Sequence, residues 1–224
     1  MGRLSPVILG GMMSMLTGCC ASPKAQYPKR WWTPVPTAGA PAWEILPQEA
    51  GSGEVILSKR NELGILSNFA PTPFVYHGIR YASVEGFWQM MKYPEGPADP
   101  RWAPSRVHWA YTRQQVGQMT SFQAKHAGDL GDENMALLGI DYVTFEAARM
   151  TYRSRAHGEH YRLIVAAMRE KLRQNPQVCR TLLATGNLIL KPDHHQSPGD
   201  PDEWRYFDIW MQFRSQLQAG TFQW

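Results

Sequence analysis

A glutamate, a glutamine and a lysine stand at regular spacing in the middle of this chain. Glu85, Gln89 and Lys92 occupy positions i, i+4 and i+7, which share one face of an α-helix. Ser83 is suited to begin that helix, because its hydroxyl can accept a hydrogen bond from a free backbone N–H one turn later. An acid, an amide and a cation side by side can bind a polar ligand and exchange protons with it. The alternative interpretation is an exposed Glu–Lys pair on a solvated helix.

The adjoining face of the same helix is apolar. Val84, Trp88 and Met91 repeat with the spacing expected of residues that anchor a helix in a core. Glu85 falls in the first turn, where the helix dipole favours an ionised carboxylate. One rigid element is therefore expected to present Glu85, Gln89 and Lys92 against an aromatic wall.

The motifs around this helix resemble the signature of the NADAR family of YbiA-like proteins. In order, they are Leu66-Ser-Asn-Phe69, Pro73-Phe74, Gly78, Tyr81, Ser83, Glu85, Gln89 and Lys92. One departure is that Gly86 stands where the family usually has His. The family is associated with cleaving N-glycosidic bonds of ribosylated bases. Its substrates are phosphoribosylamino-pyrimidine intermediates of riboflavin biosynthesis or ADP-ribosylated guanine.

The resemblance implies an enzyme, an N-glycoside hydrolase acting on a small-molecule ribosylated base or an ADP-ribosyl adduct without a cofactor. Cleavage of a ribosyl C–N bond needs a carboxylate near the anomeric carbon and a proton donor near the departing base. Glu85 is the expected carboxylate, orienting water or stabilising the cationic sugar. Lys92 would set its ionisation and contact the base or a phosphate, and Asp193 with His194 would form a second acid/base pair.

Further residues are expected to bind the substrate. Tyr81 and Trp88 would stack on the base, and Asn68 and Gln89 would hydrogen-bond to it. In the second half of the chain the resemblance resumes at Leu182-Leu-Ala-Thr185 and reaches Met211 and Arg214. There Asp193-His194 replaces a Glu-His pair, and Trp204 is a loose substitute for a missing Trp-Gly turn. The alternative function is a non-catalytic binding module for ADP-ribose or nucleotide-like ligands, which Gly86 and the missing turn favour.

A metal site is a further interpretation of Asp193-His194-His195, but the sequence does not favour it. Adjacent histidines project in different directions, and no HxxxH, HExxH or Cys pair completes a ligand set. A solvated loop is the other alternative for these residues.

The net charge of +4 with seven histidines taken as neutral is a mild basic excess that suits an anionic ligand. Arginines at 149, 153, 155 and 162 could bind phosphate, although solvated helix faces account better for most of them. No motif for sequence-specific nucleic-acid binding is present.

The beginning of the chain resembles a bacterial lipoprotein signal. An apolar run too short to span a bilayer ends in Leu16-Thr-Gly-Cys19, which predicts a signal peptide at 1–18 and lipid on Cys19. Because Cys20 is not the Asp that retains lipoproteins at the inner membrane, a periplasm-facing anchor in the outer membrane is favoured. A chance Cys would instead leave the protein in the cytoplasm. Pairing of Cys20 with Cys179 is left open.

Residues 19–53 are rich in proline and predict a semi-extended tether, with Trp31, Trp32 and Trp43 either folded back on the domain or at a membrane interface. Residues 54–224 predict a single domain, mainly α, that is, α+β with a few short N-terminal strands. Strands are expected at 54–57, 74–76, 79–81 and 188–190. Helices are expected at 83–92, 113–125, 132–138, 144–154, about 161–174, 178–184 and 207–217.

Overall fold

The computed structural model describes residues 27–102, 105–153 and 157–224. The signal peptide, Cys19, Cys20 and Arg155 lie outside the described residues. The helices are α1 (Val84–Met90), α2 (Arg113–Gly117), α3 (Ser121–Leu138), α4 (Glu159–Gln174), α5 (Pro176–Ala184) and α6 (Tyr206–Gln218). The strands are β1 (Glu54–Ile56), β2 (Phe74–Tyr76), β3 (Ile79–Tyr81), β4 (Tyr142–Phe145), β5 (Ala148–Thr151) and β6 (Ile189–Lys191). The predicted class, mainly α with a few short strands in one domain, is confirmed, but the strands are not confined to the N-terminal part.

Helix α1 lies at the centre of the domain, and every one of its residues is buried. Ser83 begins it as predicted, since its hydroxyl oxygen accepts a hydrogen bond from the Gly86 backbone N–H at 2.9 Å. The same hydroxyl donates to the backbone carbonyl of Met119 at 2.9 Å. A helix this short is not stable alone. Contacts with α2, α3 and α4 therefore hold it in place.

Two glycines without side chains allow neighbouring parts of the chain to pack closely against α1. A Cβ on Gly86 would lie 2.5 Å from the Met119 carbonyl oxygen and 2.9 Å from that of Val116, so no side chain fits there. On the facing helix α3, a Cβ on Gly128 would lie 2.0 Å from Gln89 Oε1. Gly86 is thus a packing requirement of this chain.

The remote ends of the domain meet through a parallel pair of strands. Strand β1 pairs with β6 in a register that places Val55 opposite Leu190. This pairing carries Lys59 to Asp193, whose backbone carbonyl also accepts a hydrogen bond from Ile45 N at 2.9 Å. The segment before β1 and the loop after β6 therefore lie side by side.

The loop at 66–69 is held from behind by two buried side chains. Trp210 Nε1 donates to the carbonyl of Leu66 at 2.7 Å, and Lys171 Nζ donates to the carbonyl of Ser67 at 2.7 Å. These contacts fix the backbone beside Asn68, whose carbonyl accepts a hydrogen bond from Glu85 N at 2.9 Å. Helices α4 and α6 thus position a loop that adjoins α1.

Two helix predictions are wrong. Within the range predicted as a helix at 144–154, residues 144–151 form most of the hairpin of β4 and β5, in which Thr144 pairs with Arg149. In the turn, Glu146 and Ala147 have positive φ angles of 50° and 65°. Such a turn is usually predicted from Gly or Asn, and neither residue is one of these. The helix expected at 113–125 is divided, since α2 ends at Gly117 and α3 begins at Ser121.

The predicted tether also needs correction from residue 27 onward. Trp31 is 2% exposed, and its Nε1 donates to Glu62 Oε1 at 2.6 Å. Trp32 Nε1 donates to the Glu54 carbonyl at 2.9 Å. Residues 27–53 therefore pack against the domain and belong to the folded unit, since aromatic side chains outweigh the extended preference of the prolines. Within the described residues, no helix combines the length and apolarity needed to cross a bilayer.

Candidate active site

A cavity of about 580 Å³ opens beside α1, large enough for a nucleotide-sized ligand. Its wall combines α1, the loop at 67–69, one face of α3, the chain after β5, the loop after β6 and Trp43. The lining residues are Trp43, Lys59, Ser67, Asn68, Phe69, Glu85, Trp88, Gln89, Lys92, Phe122, Lys125, Asp129, Asp132, Tyr152, Arg153, His194, His195, Trp204 and Tyr206. Seven of the predicted site residues are among them: Asn68, Glu85, Trp88, Gln89, Lys92, His194 and Trp204.

Glu85 is the buried acid of this cavity, with its side chain only 6% exposed. Burial raises the pKa of its carboxyl group, against the hydrogen bond from Gln89 and the charges of Lys92, Lys125 and Lys59, which favour ionisation. Gln89 Nε2 donates to Glu85 Oε1 at 2.8 Å, which fixes the carboxylate along the helix. An acid held at a raised pKa in a cavity is suited to exchanging protons with a ligand.

Lys92 lies one helical turn beyond Gln89, almost fully buried. Its Nζ is 2.8 Å from Asp132 Oδ2, donates to the Gly128 carbonyl at 3.0 Å, and stands 5.2 Å from the Tyr152 ring centroid. The sequence places Lys92 beside Glu85, whereas its direct ion pair is with Asp132 on α3. Lys92 therefore acts on Glu85 through its charge.

Asp193 lies behind the cavity wall. Its two carboxylate oxygens accept hydrogen bonds from Lys59 Nζ at 2.8 and 2.6 Å, and His194 Nδ1 lies 3.4 Å from Oδ1. Burial alone would raise the pKa of Asp193, but the hydrogen bonds and charges of His194 and Lys59 outweigh it, and the pKa is lowered. Asp193 is thus an ionised acceptor. Its side chain holds Lys59 and His194, which do line the cavity, and its acid/base role together with His194 stays a prediction.

Tyr81 is the predicted site residue that the structure does not bring into the cavity. It is 4% exposed, and its ring packs 4.8 Å from the ring centroid of Phe87 and 5.7 Å from that of Phe74. It lies there because β3 pairs with β2 and places Tyr81 opposite Phe74. Tyr81 is therefore not placed to stack on a base bound in this cavity. Tyr152, which the sequence did not indicate, supplies the aromatic ring next to Trp88, whose Nε1 lies 3.4 Å from its hydroxyl.

Three residues of the cavity wall have a buried polar atom without a hydrogen-bond partner in the described parts of the chain: Asn68 Oδ1, Gln89 Oε1 and the Tyr206 hydroxyl. Buried polar groups are otherwise satisfied in folded proteins. These three atoms are themselves buried against the protein, so the wall of the cavity contains unsatisfied polar groups that do not face its open space.

A buried acid–histidine pair supports the wall and was also missed from sequence. His160 Nδ1 lies 3.1 Å from Glu203 Oε1, and both side chains are 1% exposed. The His160 ring meets Trp88 and Tyr152 edge-on, at centroid distances of 5.3 Å each. Glu203 directly precedes Trp204, so the pair attaches that part of the cavity wall to α4. No local signal could have paired two residues so far apart in sequence.

Other features bear less on chemistry. A hollow of about 790 Å³ lies at the start of α5, but its carboxylate, Glu62, is occupied by Trp31 and Arg30. Among residues 27–102, 105–153 and 157–224, no group of three His, Cys, Asp or Glu side chains is arranged to hold a metal ion. Of the arginines considered for phosphate binding, Arg153 lines the cavity and pairs with Asp132 at 2.9 Å. Arg149 lies instead over the ring of Tyr142.

Comparison with known proteins adds one similarity. No protein-family model and no curated protein matches the chain. Among solved structures, the NMR structure of the E. coli protein YbiA is similar, with 19% sequence identity and a TM-score of 0.46. The match covers 74% of this chain and 86% of that chain. The chemistry of the site has to come from this chain's own residues.

Proposed function

We propose that this protein is an N-glycoside hydrolase that cleaves the C–N bond between a ribosyl group and a base. The substrate is an ADP-ribosyl adduct or a phosphoribosylamino-pyrimidine. The observation that carries the proposal is Glu85, a buried carboxyl group of raised pKa in a cavity with aromatic and cationic walls. The carboxylate suits a sugar that becomes cationic, and the cationic side chains suit a departing base that gains electrons.

The proposed reaction requires one water molecule. Glu85 accepts a proton from the water, whose oxygen forms a bond to the anomeric carbon. The C–N bond breaks and its electron pair leaves with the base, which takes a proton from a neighbouring donor. His194 is suited to be that donor, because it lines the cavity while its Nδ1 is turned toward Asp193. Burial makes Glu85 a stronger base than an exposed carboxylate.

The remaining groups bind the substrate. Trp88 and Tyr152 provide apolar surface for the base, and Asn68 and Gln89 contribute amide side chains to the cavity wall for hydrogen bonding to it. Lys59 and Lys92 supply positive charge for phosphate. Gly86 removes no group from the cavity, because a side chain there would meet the carbonyls of Val116 and Met119.

The test is release of free base, measured by mass spectrometry, from ribosylated bases and ADP-ribosyl adducts. Glu85→Gln keeps the shape and hydrogen bonding of the side chain while removing its basicity. We expect it to leave ligand affinity nearly unchanged and to cut turnover by about 10²–10⁴-fold. Glu133→Gln, on the exposed side of α3, is the matched control and should retain full activity.

The contrary result would be the absence of turnover with every substrate, together with a changed affinity in Glu85→Gln. That outcome would establish the alternative of a non-catalytic module for nucleotide-like ligands. A wild-type rate that stays constant as the pH falls through the acid range would also contradict Glu85 as the base. Its protonation should abolish activity at low pH.

We also propose attachment to the bacterial envelope through lipid on Cys19, on the strength of Leu16-Thr-Gly-Cys19. The substrate would then be an exported adduct, or one made outside the cytoplasm. Cys19→Ala should lose incorporated acyl label and leave the membrane fraction. Unchanged fractionation with an intact Met1 would show that the segment is not a lipoprotein signal.

A further inference from the structure

Trp43, Phe69 and Phe122 form an aromatic corner that the proposed reaction does not use. The rings of Trp43 and Phe122 lie 6.0 Å apart at 54°, and those of Phe69 and Phe122 lie 5.3 Å apart at 89°. Trp43 and Phe122 are 41% and 55% exposed, although both line the cavity. Such a corner allows a planar ring to stack on one side chain and present its edge to the other.

Helix α3 connects the aromatic corner with the end of the cavity that contains Glu85 and Lys92. Phe122, Lys125, Asp129 and Asp132 follow each other at spacings of three and four residues and all line the cavity. At 1.5 Å per residue, Phe122 and Asp132 are about 15 Å apart along the helix axis. Because Asp132 holds Lys92, this face of α3 extends from the catalytic groups to the aromatic corner. The cavity is therefore elongated.

Positive charge lies between the two ends. Lys59 Nζ stands 4.9 Å from the Phe69 ring centroid and 5.8 Å from that of Trp43. Lys125 follows Phe122 by one helical turn, and its pairing with Asp129 is half exposed to solvent and so weakly held. Both lysines are close enough to affect the ionisation of Glu85. An anionic group between the corner and Glu85 would meet both ammonium groups, each of which also pairs with a carboxylate, Lys59 with Asp193 and Lys125 with Asp129.

We propose that the aromatic corner binds the distal nucleobase of a substrate whose cleavable ribosyl group is joined through a diphosphate to a second nucleoside. The inference depends on the proposed function and narrows its substrate class. It favours an ADP-ribosyl adduct over a phosphoribosylamino-pyrimidine, which has no second ring to place in the corner. Trp43 is then a specificity-determining residue supplied by the proline-rich segment.

Trp43 is held in position by its neighbours along the chain. Glu44 bridges to His194 in the adjacent loop and pairs with Arg60 at 2.6 Å, and Ile45 N donates to the Asp193 carbonyl. The residues on either side of the corner thus belong to the same framework that positions Lys59 and His194. Replacing the indole alone leaves this backbone framework in place.

The experiment measures, by titration calorimetry, the affinity of the full chain for ADP-ribose and for ribose 5-phosphate. Trp43→Ala should weaken ADP-ribose binding roughly tenfold, as expected when one base loses its stacking partner, and leave ribose 5-phosphate binding unchanged. Trp102→Ala is the matched control, because Trp102 is 48% exposed and does not line the cavity. An unchanged melting temperature of Trp43→Ala confirms that the fold is intact.

Two outcomes would overturn the aromatic-corner proposal alone. Equal loss of affinity for both probes would make Trp43 a support for the cavity, and no loss for either probe would place the nucleobase elsewhere. In both cases binding of ribose 5-phosphate to the wild type leaves the proposed function standing. If neither probe binds the wild type, ribosyl recognition itself fails and both proposals fall.

Discussion

At the scale of single residues, the chain buries several cations, and their partners differ. Arg101 is 1% exposed and donates to the carboxylate of Asp99, to the carbonyls of Met91 and Lys92, and to Thr144. Lys171 is fully buried, and its hydrogen-bond acceptor in the described residues is the carbonyl of Ser67. A buried ammonium without a carboxylate partner loses its hydration, and a single hydrogen bond compensates little of that cost. Burial accordingly lowers the pKa of Lys171 from 10.5 to about 7.

Lys171 should therefore make stability depend on pH above neutrality. Between about pH 7 and 10.5 the unfolded chain keeps this proton and the folded chain releases it, so the free energy of unfolding rises with pH. The slope from this one group is at most about 1.4 kcal/mol per pH unit. Lys171→Met should remove that rise from urea-unfolding curves measured at pH 7, 8.5 and 10. Its absolute stability also reflects the lost bond to Ser67, so the slope is the diagnostic quantity.

The matched control is Lys29→Met, at an exposed position of the proline-rich segment, which should keep the wild-type pH dependence. If Lys171→Met and wild type show parallel curves over this range, Lys171 stays charged in the folded protein. The loop at 66–69 would then be held by an ammonium group over this whole pH range.

At the scale of elements, local signals predicted α1, β2, β3 and α4 well, while features set by distant contacts were missed. Ser83 and the apolar spacing of Val84, Trp88 and Met91 indicated the start and the buried face of α1, because capping and periodicity are local. The β4–β5 hairpin was missed since its turn lacks Gly or Asn. The partners of Lys92 and Asp193 were missed because Asp132 and Lys59 come from other elements.

The junction of α1 with α2 is expected to depend on Gly86. Gly86→Ala puts a methyl group 2.5 Å from a backbone carbonyl that cannot rotate away, so α1 or the turn before α3 must move. Overpacking of this kind typically costs about 1–3 kcal/mol. Thermal unfolding should show a clearly lowered melting temperature. Gly86→His, with a larger side chain, should be worse still.

Gly96→Ala provides the comparison, because a Cβ there would meet nothing within 4 Å. It should leave the melting temperature unchanged or slightly raised, as the unfolded chain loses freedom. Equal melting temperatures for Gly86→Ala and Gly96→Ala would show that α1 has room to shift, and that Gly86 is not required for packing.

At the scale of the whole molecule, the folded unit is larger than composition indicates. Prolines and small residues at 19–53 are typical of a tether, and no periodic pattern marks the few side chains that pack. The structure nonetheless places Trp31 in the core and Leu46 beneath the surface. It also uses the segment to bring Trp43 to the cavity. Anchoring by isolated tryptophans cannot be recognised without knowing the surface they cover.

Trp31→Ala tests whether residues 27–53 are part of the fold. Truncating a buried tryptophan removes its apolar contacts and leaves a cavity, at a typical cost of about 3–5 kcal/mol. The change also removes the indole N–H that reaches Glu62. Trp224→Ala, at a side chain 68% exposed, should cost little by comparison. Urea unfolding of both variants measures the difference.

If they are equally stable, the segment rests on the domain without contributing to its stability, and the domain begins near β1 as its composition indicates. A large difference would mean that the segment carrying Trp43 is fixed by the core, as a specificity-determining residue in the aromatic corner requires.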